Sequence, residues 1–279
     1  MPITHIVVLA LLQGLTEFLP VSSSAHLIFP SQILGWEDQG LAFDVAVHLG
    51  TLMAVIIYYI SDLSQIFTHT LESIVKRRHT PYSRVGWFIV IATIPAALAG
   101  LMLEEFIGTV ARSIHVIAYT TIGFGLLLGV ASYVNRKFNS RTLANMETER
   151  PDTLRHLTLG QAVIIGFAQA IAIIPGTSRS GITLTAGLFL GLRPEAAARF
   201  SFLLSIPIIM ASALYEGIKL INNETVGANP MEMLIGAVLS FISSLIVISL
   251  FMRFISKSGM AVFVIYRILL GAALLYFCV

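Results

Sequence analysis

The stretch Gln13-Gly-Leu-Thr-Glu17-Phe-Leu-Pro20-Val-Ser-Ser-Ser-Ala-His26 ends an apolar run, breaks at a proline and resumes as a short apolar piece, 24–34. A second stretch has the same layout: Gly166-Phe-Ala-Gln169-Ala-Ile-Ala-Ile-Ile-Pro175-Gly-Thr-Ser-Arg179-Ser-Gly-Ile-Thr183, followed by an apolar piece at 182–192. Each break is a proline followed by a run of hydroxyls. Working outward, three apolar runs follow each break: 43–60, 86–103 and 116–134, then 200–216, 233–252 and 260–278. Each is close to the ~20 residues needed to cross a bilayer. Pro95 and Pro207 fall inside two of them, which membrane helices tolerate when neighbours satisfy the freed carbonyl. The chain therefore reads as two repeats, 1–134 and 158–279, joined by a polar linker at 135–157. A broken hairpin returns to the side it entered from. The three crossings that follow are an odd number, so the second repeat starts on the opposite side. The predicted fold is an all-α polytopic membrane protein, a single integral domain over 1–279. It has two inverted-topology repeats, each a broken, re-entrant helical hairpin plus three transmembrane helices. Interrupted segments at matching positions of inverted repeats point to a binding site near the midplane.

Composition supports lipid as the solvent. Of 279 residues, 56% are hydrophobic and 11% charged, against about 25% charged in an ordinary soluble domain. Mean hydropathy is +0.86. A globule this small cannot hide so much apolar surface from water. A soluble enzyme, a disordered chain and a nucleic-acid binder are excluded. The net charge of +2 offers no basic field for a polynucleotide. The single cysteine, Cys278, permits no intrachain disulfide. The N-terminal run lacks a basic n-region and a small-residue cleavage site, so it does not read as a cleaved signal peptide.

Orientation follows from the positive residues. Thirteen of the 17 Lys and Arg fall in loops on one side, at 61–85, 135–157, 193–199 and 253–259. The other side holds only Arg112 and Lys219, and Arg179 and Arg267 fall at membrane depth. The positive-inside rule makes the rich side cytoplasmic and places both termini outside.

Ionisable groups at membrane depth are costly and functional by default. They are Glu17, His26, Arg179, Arg267 and, more weakly, His48. Two breaks meeting at the midplane would bring Glu17, His26 and Arg179 together. In the second break, Gly176 and Gly181 let backbone approach a ligand closely. The hydroxyls of Thr177, Ser178, Ser180 and Thr183, with the free N–H groups of a starting helix, suit phosphate oxygens. Arg179 adds a bidentate fork of fixed charge. In the first break, Glu17 and Gln13 share a helix face. Their oxygens are hard ligands suited to Mg²⁺ or Ca²⁺ completed by substrate phosphate. Glu17 as counter-ion to Arg179 is the competing reading, and it also places both in one site. Ser22, Ser23 and Ser24 suit helix capping or substrate contact. His26 is the group whose ordinary pKa suits proton exchange near neutrality, and a serine beside a histidine is a usual nucleophile pairing. Arg267 reads as a packing residue or half of an ion pair.

With these residues on the page, the sequence resembles a known family. Gln13-x-x-x-Glu17 fits an [Glu/Gln]-x-x-x-Glu motif, and Pro175-Gly-Thr-Ser-Arg-Ser-Gly-Ile-Thr183 fits Pro-Gly-x-Ser-Arg-Ser-x-x-Thr at every fixed position. Glu17-Phe-Leu-Pro-Val-Ser-Ser followed by His26 matches as well, with Ser24-Ala25 where Thr-Gly is expected. The family is the undecaprenyl-diphosphate phosphatases of the bacitracin-resistance type, and the resemblance covers the whole chain. It implies hydrolysis of the C55 isoprenoid diphosphate to the monophosphate, which recycles the lipid carrier for peptidoglycan synthesis, and bacitracin resistance. It also implies a divalent cation and a bacterial plasma (inner) membrane location, with the active site opening to the outer face. Glu17, Ser23, His26 and Arg179 are then the catalytic candidates. Ser22, Gly176, Thr177, Ser178, Ser180, Gly181 and Thr183 would bind substrate, and Glu17 and Gln13 the metal. Serine, histidine and water all remain candidate nucleophiles. The expected partners are the polyprenyl diphosphate and membrane lipid, without nucleic acid. Self-association as a homodimer is left open. The rival function is a transporter or flippase of polyprenyl phosphate lipids, because inverted repeats with broken helices are also transporter architecture. The Lys-x₆-Arg-Pro signature of type-2 phosphatidic-acid phosphatases is absent.

Overall fold

The computed structural model describes residues 1–37, 39–103, 113–138, 153–222 and 229–277. Cys278, Arg112, Arg141, Arg150 and most of the 135–157 linker lie outside these residues. Among the described residues there are helices and no strand. In chain order they are α1 (Ile3–Thr16), α2 (Ser23–Ile33), α3 (Leu41–Tyr58), α4 (Ile60–Val75), α5 (Pro81–Met102), α6 (Ile114–Phe138), α7 (Leu159–Ile171), α8 (Arg179–Phe189), α9 (Pro194–Asn222), α10 (Pro230–Ser258) and α11 (Ala261–Phe277). Five of these, α3, α5, α6, α9 and α10, are long and apolar enough to cross a membrane. Helices α1, α7 and α11 are apolar but shorter. The sequence explains the ends. Thr80 and Thr158 close capping boxes with Ser83 and Gln161, and the Asn229 side chain accepts from the Met231 N–H just before Pro230.

One expectation needs correction. The 61–85 segment reads as a basic loop, yet α4 occupies most of it. Its pattern is one-sided: Ile66 and Ser73 are buried against α5, whereas Phe67, Leu71, Ile74 and Val75 face outward. The Trp87 indole N–H donates to Ser73 Oγ at 3.0 Å, fixing the pair. Such a helix suits an interface rather than a crossing, and for that reason a search for spans passes over it.

Large apolar side chains such as Leu101, Met102, Leu250, Leu269 and Tyr276 point outward. Small and hydroxylated residues turn inward, as lipid-embedded helices require for close approach. The Ser240 hydroxyl donates to Val47 O at 2.9 Å, and the Ser244 hydroxyl to Gly14 O at 3.0 Å, tying α10 to α3 and α1. Asn135 on α6 donates to the carbonyls of Leu188 and Leu192, at and just beyond the end of α8. The two ends of the bundle differ. At one, the terminal amine meets Glu232 at 2.8 Å and His5 stacks on Trp36. At the other, Arg199 pairs with Asp62 at 2.5 Å and Arg84 donates to the Arg155 carbonyl at 3.3 Å.

Candidate active site

Each break is a short helix end, a turn and a serine-capped restart. Helix α1 closes with the Glu17 N–H donating to Gln13 O at 3.0 Å, and Pro20 then supplies no donor. Phe18, fully buried, sits edge-on to Phe202 of α9 at 5.3 Å and anchors the turn beside Glu17. The chain restarts at Ser22, whose φ of 75° lies in the left-handed region. The second break restarts the same way at Ser178, with φ of 69°. Non-glycine residues rarely adopt this conformation, and its presence at both turns marks strain held at a functional site. Each serine hydroxyl accepts from the amide three residues on, Ala25 in one and Gly181 in the other.

The breaks are stitched together. The Gly176 N–H donates to Ser24 Oγ at 3.2 Å, and the Ser180 hydroxyl donates to Leu19 O at 2.8 Å. From α6, the Thr120 hydroxyl donates to Pro175 O at 2.6 Å and that of Thr121 to Gly176 O at 3.3 Å. Gly176 has φ of 87°, and a Cβ there would lie 2.1 Å from Thr120 Oγ1, so only glycine fits.

This stitching brings Glu17, Ser23 and Arg179 together. Arg179 Nη2 donates to Glu17 Oε1 at 2.8 Å. Glu17 Oε2 accepts from Ser23 Oγ and from Gln13 Nε2, both at 3.0 Å. A cavity of about 340 Å³ opens over the cluster, walled by Ser22–Ser24, Ser178 and Arg179, by Leu41, Asp44, Val45 and His48 of α3, and by Ile208, Ile209, Ser212, Ala213 and Glu216 of α9. Its lining joins a polar floor to an apolar side wall, a shape suited to an amphiphile. Arg179 Nη1 and Thr177 Oγ1 are buried without a protein partner, two donors with nothing to donate to. Buried donors are seldom left this way; Arg179 belongs to the cavity lining and suits phosphate oxygens, whereas Thr177, with no exposed surface, lies behind that lining.

Other predicted residues lie elsewhere. Thr183 turns away, its hydroxyl bonded to Arg179 O and paired with Ser201 Oγ at 2.6 Å. Ser180 and Gly181 serve the turn itself. His26 does not line the cavity. Its Nδ1 donates to Ser22 O at 2.7 Å, and its Nε2 meets the Tyr266 hydroxyl at 2.6 Å. The histidine on the cavity wall is His48, with Nε2 3.9 Å from Glu17 Oε2 and Nδ1 held by Asp44 O. Its signal in the sequence is that of an ionisable group at membrane depth. Arg267 corrects its expectation: fully buried, it donates only to backbone carbonyls, so it is not half of an ion pair.

The expected divalent cation has a limited donor set. Among the described residues no group of three or more His, Cys, Asp or Glu could hold a metal. What exists is one carboxylate, Glu17, on the cavity lining; Gln13 turns its amide nitrogen toward that carboxylate, and its oxygen is buried without a partner. One or two such ligands plus substrate phosphates is how Mg²⁺ is usually held. The residues therefore fit an ion that arrives with the diphosphate rather than one caged by protein.

The whole chain is similar to known proteins. The family described as Bacitracin resistance protein BacA matches residues 6–273. Undecaprenyl-diphosphatase 1 of Pseudoalteromonas translucida (strain TAC 125) is 51% identical over 277 residues, 99% of either chain. The undecaprenyl-diphosphatase of Teredinibacter turnerae (strain ATCC 39867 / T7901) is 52% identical over 274 residues, 98% of either chain. That of Aliivibrio salmonicida (strain LFI1238) is 52% identical over 267 residues, covering 96% of this chain and 95% of its own. With the family matched from residue 6 to 273 and relatives at 51–52% identity over nearly the whole length, the chain belongs to the bacitracin resistance protein BacA family.

Proposed function

We infer that the protein is a multi-pass membrane enzyme that hydrolyses undecaprenyl diphosphate to undecaprenyl phosphate and inorganic phosphate, so recycling the carrier for peptidoglycan synthesis. The observation that carries this is the meeting of Glu17, Ser23 and Arg179 under a cavity with one apolar wall. The names of the full-length relatives agree. Chemistry follows from the contacts. Arg179 binds the terminal phosphoryl oxygens, where transition-state charge collects. Ser23, already donating to Glu17, attacks the terminal phosphorus. The Oγ–P bond forms, the bridging P–O bond breaks, and undecaprenyl phosphate leaves while Glu17 holds the serine proton. A water then attacks the phosphoserine: its oxygen bonds to phosphorus, the Ser23 Oγ–P bond breaks as Glu17 returns its proton to Oγ, and inorganic phosphate leaves with both water protons. Glu17 would hold a Mg²⁺ or Ca²⁺, which when bound offsets the charge of the diphosphate, while the Gln13 amide N–H fixes that carboxylate from behind.

The two inverted repeats belong to the same reading. The paired elements keep one register: α1 starts at Ile3 and α7 at Leu159, while α2 spans Ser23–Ile33 and α8 Arg179–Phe189, each later partner 156 positions on. Gln13 and Gln169, and the caps Ser22 and Ser178, share that spacing. Helix α1 packs on α10 and α7 on α5, one span from each half. The clustering of Arg84, Arg155 and Arg199 at the end away from Met1 supports a cytoplasmic basic face, with both termini and the cavity mouth outside in the inner membrane.

The test is direct. Purified protein in detergent with undecaprenyl diphosphate and Mg²⁺ releases inorganic phosphate. Absence of release, with intact lipid crossing between vesicle leaflets, establishes the transporter instead. For orientation, Cys278→Ser protein carrying a cysteine at 80 or 36 is labelled from inside and outside, respectively; labelling of both from one side breaks the inverted layout.

A further inference from the structure

We propose that Tyr266 and Arg267, adjacent on α11, are positioning residues that set the geometry between Ser23 and Arg179 without touching substrate. The proposal rests on reading the Glu17, Ser23 and Arg179 cluster as the hydrolytic site. Arg267 has no exposed surface. Its Nε donates to Thr121 O of α6 at 3.0 Å, its Nη2 to Gly176 O and Thr177 O at 2.9 Å each, and its Nη1 to Pro20 O at 3.5 Å. One guanidinium thus gathers carbonyls from both breaks. A broken helix leaves carbonyls without the amides that would have received them, and in lipid no water replaces those amides. Arginine is suited to the task because its five donors lie in one rigid plane. The fit is close, since a Cβ on Gly181 would come within 2.8 Å of Arg267 Nη1.

Tyr266 controls the other break. Its hydroxyl meets His26 Nε2 at 2.6 Å, and His26 Nδ1 donates to Ser22 O at 2.7 Å. The Ser22 carbonyl belongs to the peptide that leads into Ser23, at a residue already held at φ of 75°. The Thr177 carbonyl held by Arg267 lies two residues before Arg179. One turn of α11 therefore grips the backbone beside the Ser23 hydroxyl and the backbone beside the Arg179 guanidinium. Tyr266, Arg267 and His26 all stay outside the cavity lining. Holding carbonyls on the α11 side also commits the direction of the peptides that enter α8. Of the first N–H groups of that helix, that of Gly181 goes to the Ser178 hydroxyl, and those of Arg179 and Ser180, with no intrahelical acceptor, are left for the anion.

The experiment measures phosphate release from undecaprenyl diphosphate by full-length protein carrying Tyr266→Phe, Arg267→Lys, His26→Ala, or His26→Ala with Tyr266→Phe. Arg267→Lys keeps the charge but cannot span four carbonyls, and kcat falls about 100-fold, as for a site displaced by about an ångström. Tyr266→Phe lowers kcat about 10-fold, the scale of a lost outer hydrogen bond. KM for the lipid stays within about two-fold in both, because every lining residue is intact; general loosening of the fold would move KM and the melting midpoint together. The double variant is no slower than His26→Ala alone, since Tyr266 acts through that ring. Tyr266→Phe at the wild-type kcat, or losses that multiply in the double variant, overturns the proposal. Should Arg267→Lys fail to fold, Tyr266→Phe and the double variant still decide. Wild-type protein that releases no phosphate refutes the hydrolytic reading itself, which is a separate outcome.

Discussion

The two breaks have nearly the same backbone and different chemistry. Both end a short helix, turn through a serine at positive φ and restart a helix of 11 residues. In the first, the position before the turn holds Glu17 and the restart begins with Ser23. In the second, the counterparts are Ile173 and Arg179. One arm thus carries the carboxylate and hydroxyl, and the other carries the cation and the orphaned donors. Each alone would strand a charge in lipid, while the Glu17–Arg179 contact at 2.8 Å cancels both. Two turns of one backbone form thus become halves of one site through a few differing side chains.

That contrast can be broken or sharpened by substitution. Arg179→Ala removes the only side-chain cation on the cavity lining and leaves Glu17 unpaired, so kcat falls on the order of 10²–10³-fold in phosphate release. Full activity would mean that the second arm does not bind phosphate. Gly176→Ala tests the shared backbone. Its φ of 87° and the 2.1 Å approach to Thr120 Oγ1 predict a loss of at least ~1–3 kcal/mol, read as a lower melting midpoint in detergent. The smallest effect separates the counterparts Gln13 and Gln169, both buried. Gln169 has neither amide atom bonded, so Gln169→Leu is neutral or slightly stabilising in the melt with activity kept. Gln13→Leu removes a donor to Glu17 and lowers activity. Equal behaviour of the two variants would erase the division of labour.

Much of this was legible in the chain. Prolines followed by hydroxyls located both breaks, and the rarity of charge at depth singled out Glu17 and Arg179. Three things were not legible, each for a physical reason. Helix α4 escaped because an interfacial helix is apolar on one face only, and a search for 20 continuous apolar residues does not register it. Arg267 reads in the sequence as a packing residue or half of an ion pair because sequence displays carboxylates, whereas its partners are carbonyls, which every residue has. Which carbonyls lose their amides depends on where two helices stop. His26 and His48 exchanged places because sequence gives a residue's position along a helix but not which neighbour its ring turns toward. The Tyr266 hydroxyl, 240 positions away, draws His26 aside.

The packing of α1 on α10 and of α7 on α5 has a consequence for biogenesis. Each broken arm finds its supporting span in the opposite half of the chain. During synthesis, the first arm must enter the bilayer with Glu17 long before Arg179 or α10 has left the ribosome. The enzyme therefore has no functional half-made stage: its site comes into being in one late event, when the last helices close against the first.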